Sequence, residues 1–134
     1  MTIPLWCLLA LVVWIVWLVL ALTVARLGHL SSGGAVRDFG VPDDRRLIWR
    51  LYRAHQNALE NVPLFGLVVL VITVRGVAST AVDVLAIVYT TARITHTLIH
   101  VSPDAGLPGN RRLWLLFVQF ASLLGLVGLA ALSG

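Results

Sequence analysis

Four long apolar stretches, parted by short polar ones, set the pattern of the chain. The first, residues 5–25, has Thr23 as its only polar side chain and is long enough to cross a membrane. It stops at Arg26, with His29 one turn further on. Ser31 to Gly34 then reads as a flexible link. Pro42, Asp43 and Asp44 open the second stretch, 45–74, and either aspartate suits the free N–H groups of a helix start. As a helix this stretch is roughly 45 Å long, against a hydrocarbon core of about 30 Å, so its first turns project into the headgroups. Pro63 lacks an N–H and predicts a mild kink. Arg75 to Ser79 is a turn. The third stretch, 80–101, ends before Ser102 and Pro103, and 104–110 reads as a tight loop with Asn110 as N-cap. The fourth, 112–132, has Gln119 and Ser122 as its main polar residues, and Gly125 and Gly128 suit close helix packing. The expectation is one domain over 1–134: an all-α membrane protein, a four-transmembrane-helix bundle with up-down topology.

Polar residues inside these stretches are not scattered. At about 100° per residue, Arg46, Arg50, Arg53, Asn57 and Glu60 share an arc of roughly 80° on the second helix. Tyr89, Arg93, His96 and His100 share an arc of roughly 60° on the third. An Arg or Asp at mid-membrane costs roughly 2.5–3.5 kcal/mol. An ion ladder that only joins helices is one reading; a polar ligand site is the favoured one.

Composition agrees with the pattern. Of 134 residues, 59% are hydrophobic and 12% charged, where soluble domains average about 25% charged. The mean hydropathy is +0.93. All ten basic residues are Arg. The net charge of +4 is no nucleic-acid footprint, because the arginines sit at membrane edges rather than on one soluble patch. Cys7 is the only cysteine, which excludes an intrachain disulfide, and its apolar surroundings mark it as a packing residue. The first stretch lacks the basic flank and small-residue cleavage site of a signal peptide and reads as a retained helix. The first loop and the third carry Arg26, Arg37, Arg45, Arg46, Arg111 and Arg112, whereas the second has only Arg75. The arginine bias puts the first and third loops in the cytoplasm and both termini on the far side. The expected location is a multi-pass protein of the bacterial inner membrane.

The polar groups suit a particular chemistry. Arg111 and Arg112 lie at a helix start, where free N–H groups and guanidinium together make an anion site, or where the arginines act only as membrane anchors. A neighbouring Arg lowers a thiol's pKa and stabilises the thiolate. Arg53 suits a carboxylate, Glu60 an amino group and Asn57 an amide. A small zwitterionic peptide thiol such as glutathione fits that set, as other zwitterions would. His96 and His100 suit ligand contact, interhelical hydrogen bonding or a metal; Arg93 beside them opposes a metal. No metal is assigned.

Arg53, Asn57, Glu60 and the following Asn61, Val62, Pro63, Leu64 and Phe65 resemble the second-helix signature of the MAPEG superfamily, the membrane-associated proteins in eicosanoid and glutathione metabolism. The run from Asn57 to Phe65 looks most like its bacterial branch. Arg93, His96, His100 and, after a loop, Arg111 are similar to a second family pattern. The resemblance covers essentially the whole chain. It implies a homotrimer with glutathione, or another low-molecular-weight thiol, as co-substrate between subunits and open to the cytoplasm. It assigns Arg53, Asn57, Glu60, Arg93, His96 and His100 to thiol binding, and Arg111, or alternatively Arg112, to stabilising the thiolate. Arg26 and His55 would reach a neighbour's site. The eicosanoid enzymes of the family carry Tyr where this chain has His100.

The resulting functional reading is a membrane glutathione transferase or peroxidase. It would activate the thiol for attack on a lipophilic electrophile or hydroperoxide arriving from the lipid. The rivals are a non-catalytic lipid-binding or scaffold member of the same fold and a small four-helix transporter coupled through Glu60. Against the transporter, the arginines around Glu60 favour its ionised form.

Overall fold

The computed structural model describes residues 1–102 and 111–133. Its long elements are α1 (Ile3–Ser31), α2 (Leu47–Val74), α3 (Thr80–Val101) and α4 (Arg111–Leu132), with a short 3-10 helix at Val36–Gly40. All four long helices have the length and composition to cross a membrane. Such Val- and Leu-rich stretches stay helical in lipid because every backbone group must find its partner within the segment. Large apolar side chains stand exposed on every helix, among them Val13, Trp17, Leu67, Ile87 and Leu124. That is the surface a bilayer covers.

α1 runs past its expected end at Arg26. The Arg26 guanidinium lies 5.3 Å from the centre of the Phe39 ring, which covers the cation without ending the helix. The stop comes at Ser31 and Ser32, whose hydroxyls donate back to the Gly28 and His29 carbonyls at 2.9 Å each. Gly33 then turns the chain with φ +89°. The segment expected to be a flexible link is tied down. His29 Nε2 meets Asp38 Oδ2 at 2.9 Å, and the Ala35 N–H donates to the same oxygen at 2.9 Å. The Ala35 N–H and then His29 hold the Asp38 carboxyl below its ordinary value.

α2 also starts differently. Arg46 is its N-cap, and no side chain caps it. The aspartates expected there are engaged elsewhere. Asp43 Oδ1 accepts from the Arg45 N–H at 3.0 Å, and Asp44 pairs with Arg53 at 3.1 Å. Pro63 lies inside α2 without ending it. α3 has the expected bounds and is capped by Ser79, whose Oγ accepts from the Val82 N–H at 3.3 Å. Among the described residues α4 covers Arg111–Leu132; the expected loop 104–110 and the Asn110 cap lie outside them.

Two apolar clusters hold the bundle. One joins Cys7 and Leu11 of α1 to Phe65, Val69 and Ile72 of α2, Val82, Ala86 and Tyr89 of α3, and Leu126 and Ala130 of α4. Phe65 and Tyr89 stack in it, with ring centres 4.4 Å apart and planes within 5°. Cys7 packs there as its surroundings suggested. The other cluster joins Leu18 and Leu22 to Ile48, Leu51, Ala54 and Ala58. Of the two glycines expected to allow close packing, Gly125 does: a Cβ there would sit 3.0 Å from Leu85 Cδ1. A Cβ on Gly128 would meet nothing within 4 Å.

Two arginines fasten helix ends. Arg50 Nε donates to the Val101 carbonyl at 2.9 Å, joining the start of α2 to the end of α3. Arg75 donates to the carbonyls of Ala130, Ala131 and Ser133, joining the end of α2 to the end of α4.

Candidate ligand site

Where the first apolar cluster ends, a polar layer begins. On α3, apolar packing stops near Tyr89, and Thr90, Arg93, His96 and Thr97 follow, all buried. On α4 the same layer holds buried Gln119 and Ser122. On α2 it holds Asn57 and Asn61. The Tyr89 hydroxyl marks the border by donating to the Asn61 carbonyl at 3.1 Å.

Arg93 is the centre of this layer. It is 0% exposed, yet no carboxylate binds it among the described residues. Its Nη1 donates to Gln119 Oε1 at 3.0 Å, and its Nη2 donates to Asn57 Oδ1. Among the described residues its buried Nε has no hydrogen-bond partner, and neither has His96 Nδ1. A buried cation costs several kcal/mol unless its surroundings compensate. Here neutral amides and the more distant charge of exposed Glu60 do so. The Thr97 hydroxyl donates to the Arg93 carbonyl at 3.0 Å.

The two histidines continue the layer toward the end of α3. Their rings meet edge to face, with centres 4.7 Å apart. The charges of Arg53, Arg93 and Arg112 all reach His100. Guanidinium groups carried by three helices therefore bear on this end of α3. Arg112 is partly buried and acts on both histidines, whereas Arg111 is exposed.

The single polar face read on α2 is divided among several tasks. Arg46 donates to the Asp38 carbonyl at 3.0 Å, and Arg50 binds the carbonyls of Val101, Asp44 and Arg45. Both belong to the scaffold of the first loop. Arg53 is exposed beside Asp44, Asn57 is bound to Arg93, and Glu60 is exposed. Arg26 and His55 are both partly buried, and the charge of Arg26 reaches His55.

Gln119 was noted in the sequence only as a polar residue of the fourth span. Its hydrophobic surroundings were the available signal, since a buried amide in a membrane helix needs a partner. The face it would present, and so Arg93 as that partner, was not legible. Among the described residues no three His, Cys, Asp or Glu side chains gather as metal ligands.

Neither the curated proteins nor the solved structures provide a match to the chain. The family comparison does: the MAPEG family model matches residues 4–132, nearly the full length. With four membrane-grade helices and that match, this is an integral multi-pass membrane protein, and the chain belongs to the MAPEG family.

Proposed function

We propose that the protein binds glutathione, or a similar small peptide thiol, and uses it as a thiolate against a lipophilic electrophile or hydroperoxide. Family membership supports a glutathione-related transferase or peroxidase role of this general kind. The observation that carries the reading is the hydrogen bond between Arg93 and Asn57. It joins the two motif halves, which lie 36 residues apart, into one electropositive layer.

The donor set fits such a ligand. Arg53, Arg93 and Arg112 supply positive charge for its carboxylates, exposed Glu60 suits its ammonium, and Nε of Arg93 and Nδ1 of His96 are polar atoms with no partner among the described residues. Arg111 is the proposed thiolate partner, and Arg112, nearer in effect to the histidines, is its alternative. Either acts electrostatically, because guanidinium does not give up its proton. Arg26 and His55 would serve a neighbouring subunit in a homotrimer. The first and third loops would face the cytoplasm.

The test is conjugation of glutathione to an aryl halide by the purified protein, beside Arg111→Ala and Arg112→Ala. Loss of one fixed charge at a developing anion lowers the rate by about 10²–10³-fold. The thiolate partner is the arginine whose removal does this. Wild-type protein that binds glutathione without turnover would establish the non-catalytic scaffold reading. No binding at all would overturn the site.

A further inference from the structure

The charge and hydrogen-bond inventory of the polar layer fixes more than its affinity for anions. Guanidinium carries only donors, so any amide that contacts it must turn its oxygen inward. Gln119 and Asn57 both do this, one from α4 and one from α2. Gln119 is held in that sense from its other end, where Nε2 donates to the Leu115 carbonyl at 3.0 Å. Its amide therefore cannot flip without losing both bonds. Arg93, fixed by Gln119, meets Asn57 Oδ1 with Nη2. That leaves Asn57 Nδ2 as the end of the amide turned away from Arg93. Asn57 is partly buried, and its Nδ2 has no hydrogen-bond partner among the described residues.

We infer that Gln119 is a positioning residue: acting through Arg93, it sets the polarity of Asn57, so that Asn57 meets the ligand as a hydrogen-bond donor. The ligand atom at Asn57 is then an acceptor, a peptide carbonyl or a carboxylate oxygen. This deepens the thiol-peptide reading and rests on it for the identity of the ligand. It also orients that ligand. Arg53 and Arg112 offer only donors, whereas the exposed Glu60 carboxylate offers only acceptors. The ligand's ammonium consequently goes to Glu60, and its acceptor groups go toward Asn57 and the arginines. A Gln119 with a merely structural role would stabilise the bundle and leave ligand affinity unaltered.

The experiment uses full-length protein in detergent micelles. Glutathione binding is followed by titration calorimetry, and asparagine side-chain amides are followed by ¹⁵N spectra. Gln119→Leu is expected to weaken glutathione binding about tenfold, the worth of one charge-assisted hydrogen bond. Gln119→Glu, which keeps an acceptor for Arg93, is expected to recover most of that loss. Asn57→Asp keeps an acceptor for Arg93 but has no donor, and is expected to weaken binding about tenfold or more. The Asn57 amide signal should move in Gln119→Leu while that of Asn61 stays in place. Unchanged affinity in Gln119→Leu, wild-type affinity in Asn57→Asp, or an unmoved Asn57 signal would each overturn the inference. Should Gln119→Leu fail to fold, Gln119→Glu and Asn57→Asp still decide it. If wild-type protein does not bind glutathione, the thiol reading falls, and the spectra alone then judge the relay: a moved Asn57 signal supports it and an unmoved one overturns it.

Discussion

Gly34 has no room for a side chain. A Cβ there would lie 2.1 Å from His29 Nε2, the atom that meets Asp38. Gly34→Ala must therefore expel the imidazole and break the pair. The expected result is a modest fall in the unfolding midpoint, by a few degrees at most. The double variant with Asp38→Asn should be little worse than either single one, because both remove the same contact. Thermal unfolding in detergent checks this. Asp38 also makes the first loop sensitive to acid. Its folded carboxyl titrates below the ordinary 3.8, chiefly through the Ala35 N–H and then His29. A lowered folded pKa contributes stability above the unfolded value, and the contribution is lost as pH falls through the folded one. Hydrogen exchange of the Ala35 amide should therefore lose protection only in acid below about pH 4, relative to neighbouring amides.

At the scale of whole helices, the last turn of α4 depends on a residue of another helix. Arg75 follows α2 and supplies the donors that satisfy the carbonyls of Ala130, Ala131 and Ser133. A cation at a helix C-terminus also opposes the negative end of its dipole. Arg75→Gln should cost about 1–3 kcal/mol and loosen the end of α4, read as faster hydrogen exchange in its last turn. This contact shows where sequence reading stops. The bounds of α3 were legible because Ser79 and Pro103 mark them in the chain itself. The start of α2 was misread because Asp43 and Asp44 looked like caps, and only the fold shows them engaged with Arg45 and Arg53. Arg75 looked like a loop arginine because its partners are backbone carbonyls some 55 residues away, which no side-chain pattern records. The candidate site was legible on α2 and α3, where helical spacing lines up Asn57, Glu60, Arg93 and His96. It was not legible on α4, where a single buried amide has no periodicity to reveal its direction.

For the molecule as a whole, the proposed ligand should act as a fold stabiliser. A ligand at a hundred times its Kd adds about 2.7 kcal/mol if it binds only the folded state. Glutathione should therefore raise the unfolding midpoint of the wild-type protein. Glu60→Gln should lower the unliganded midpoint only slightly, since the carboxylate is exposed and acts on Arg93 from a distance, while reducing the rise produced by glutathione. An equal rise in both proteins would remove Glu60 from ligand recognition.

Arg93 bears on how the protein is made as well as on what it binds. α3 has the least apolar spanning window of the four helices and carries this permanent cation in its interior. The groups that accept its hydrogen bonds lie on α2, already synthesised, and on α4, which leaves the ribosome last. Lateral release of α3 into lipid on its own is thus unfavourable, and its membrane integration should wait for α4. A chain shortened after Val101 is expected to leave α3 poorly integrated, and restoring Gln119 with α4 should correct it. Glycosylation-site mapping during cell-free translation reads that directly; full integration of the shortened chain would show that α2 alone suffices to chaperone the charge across.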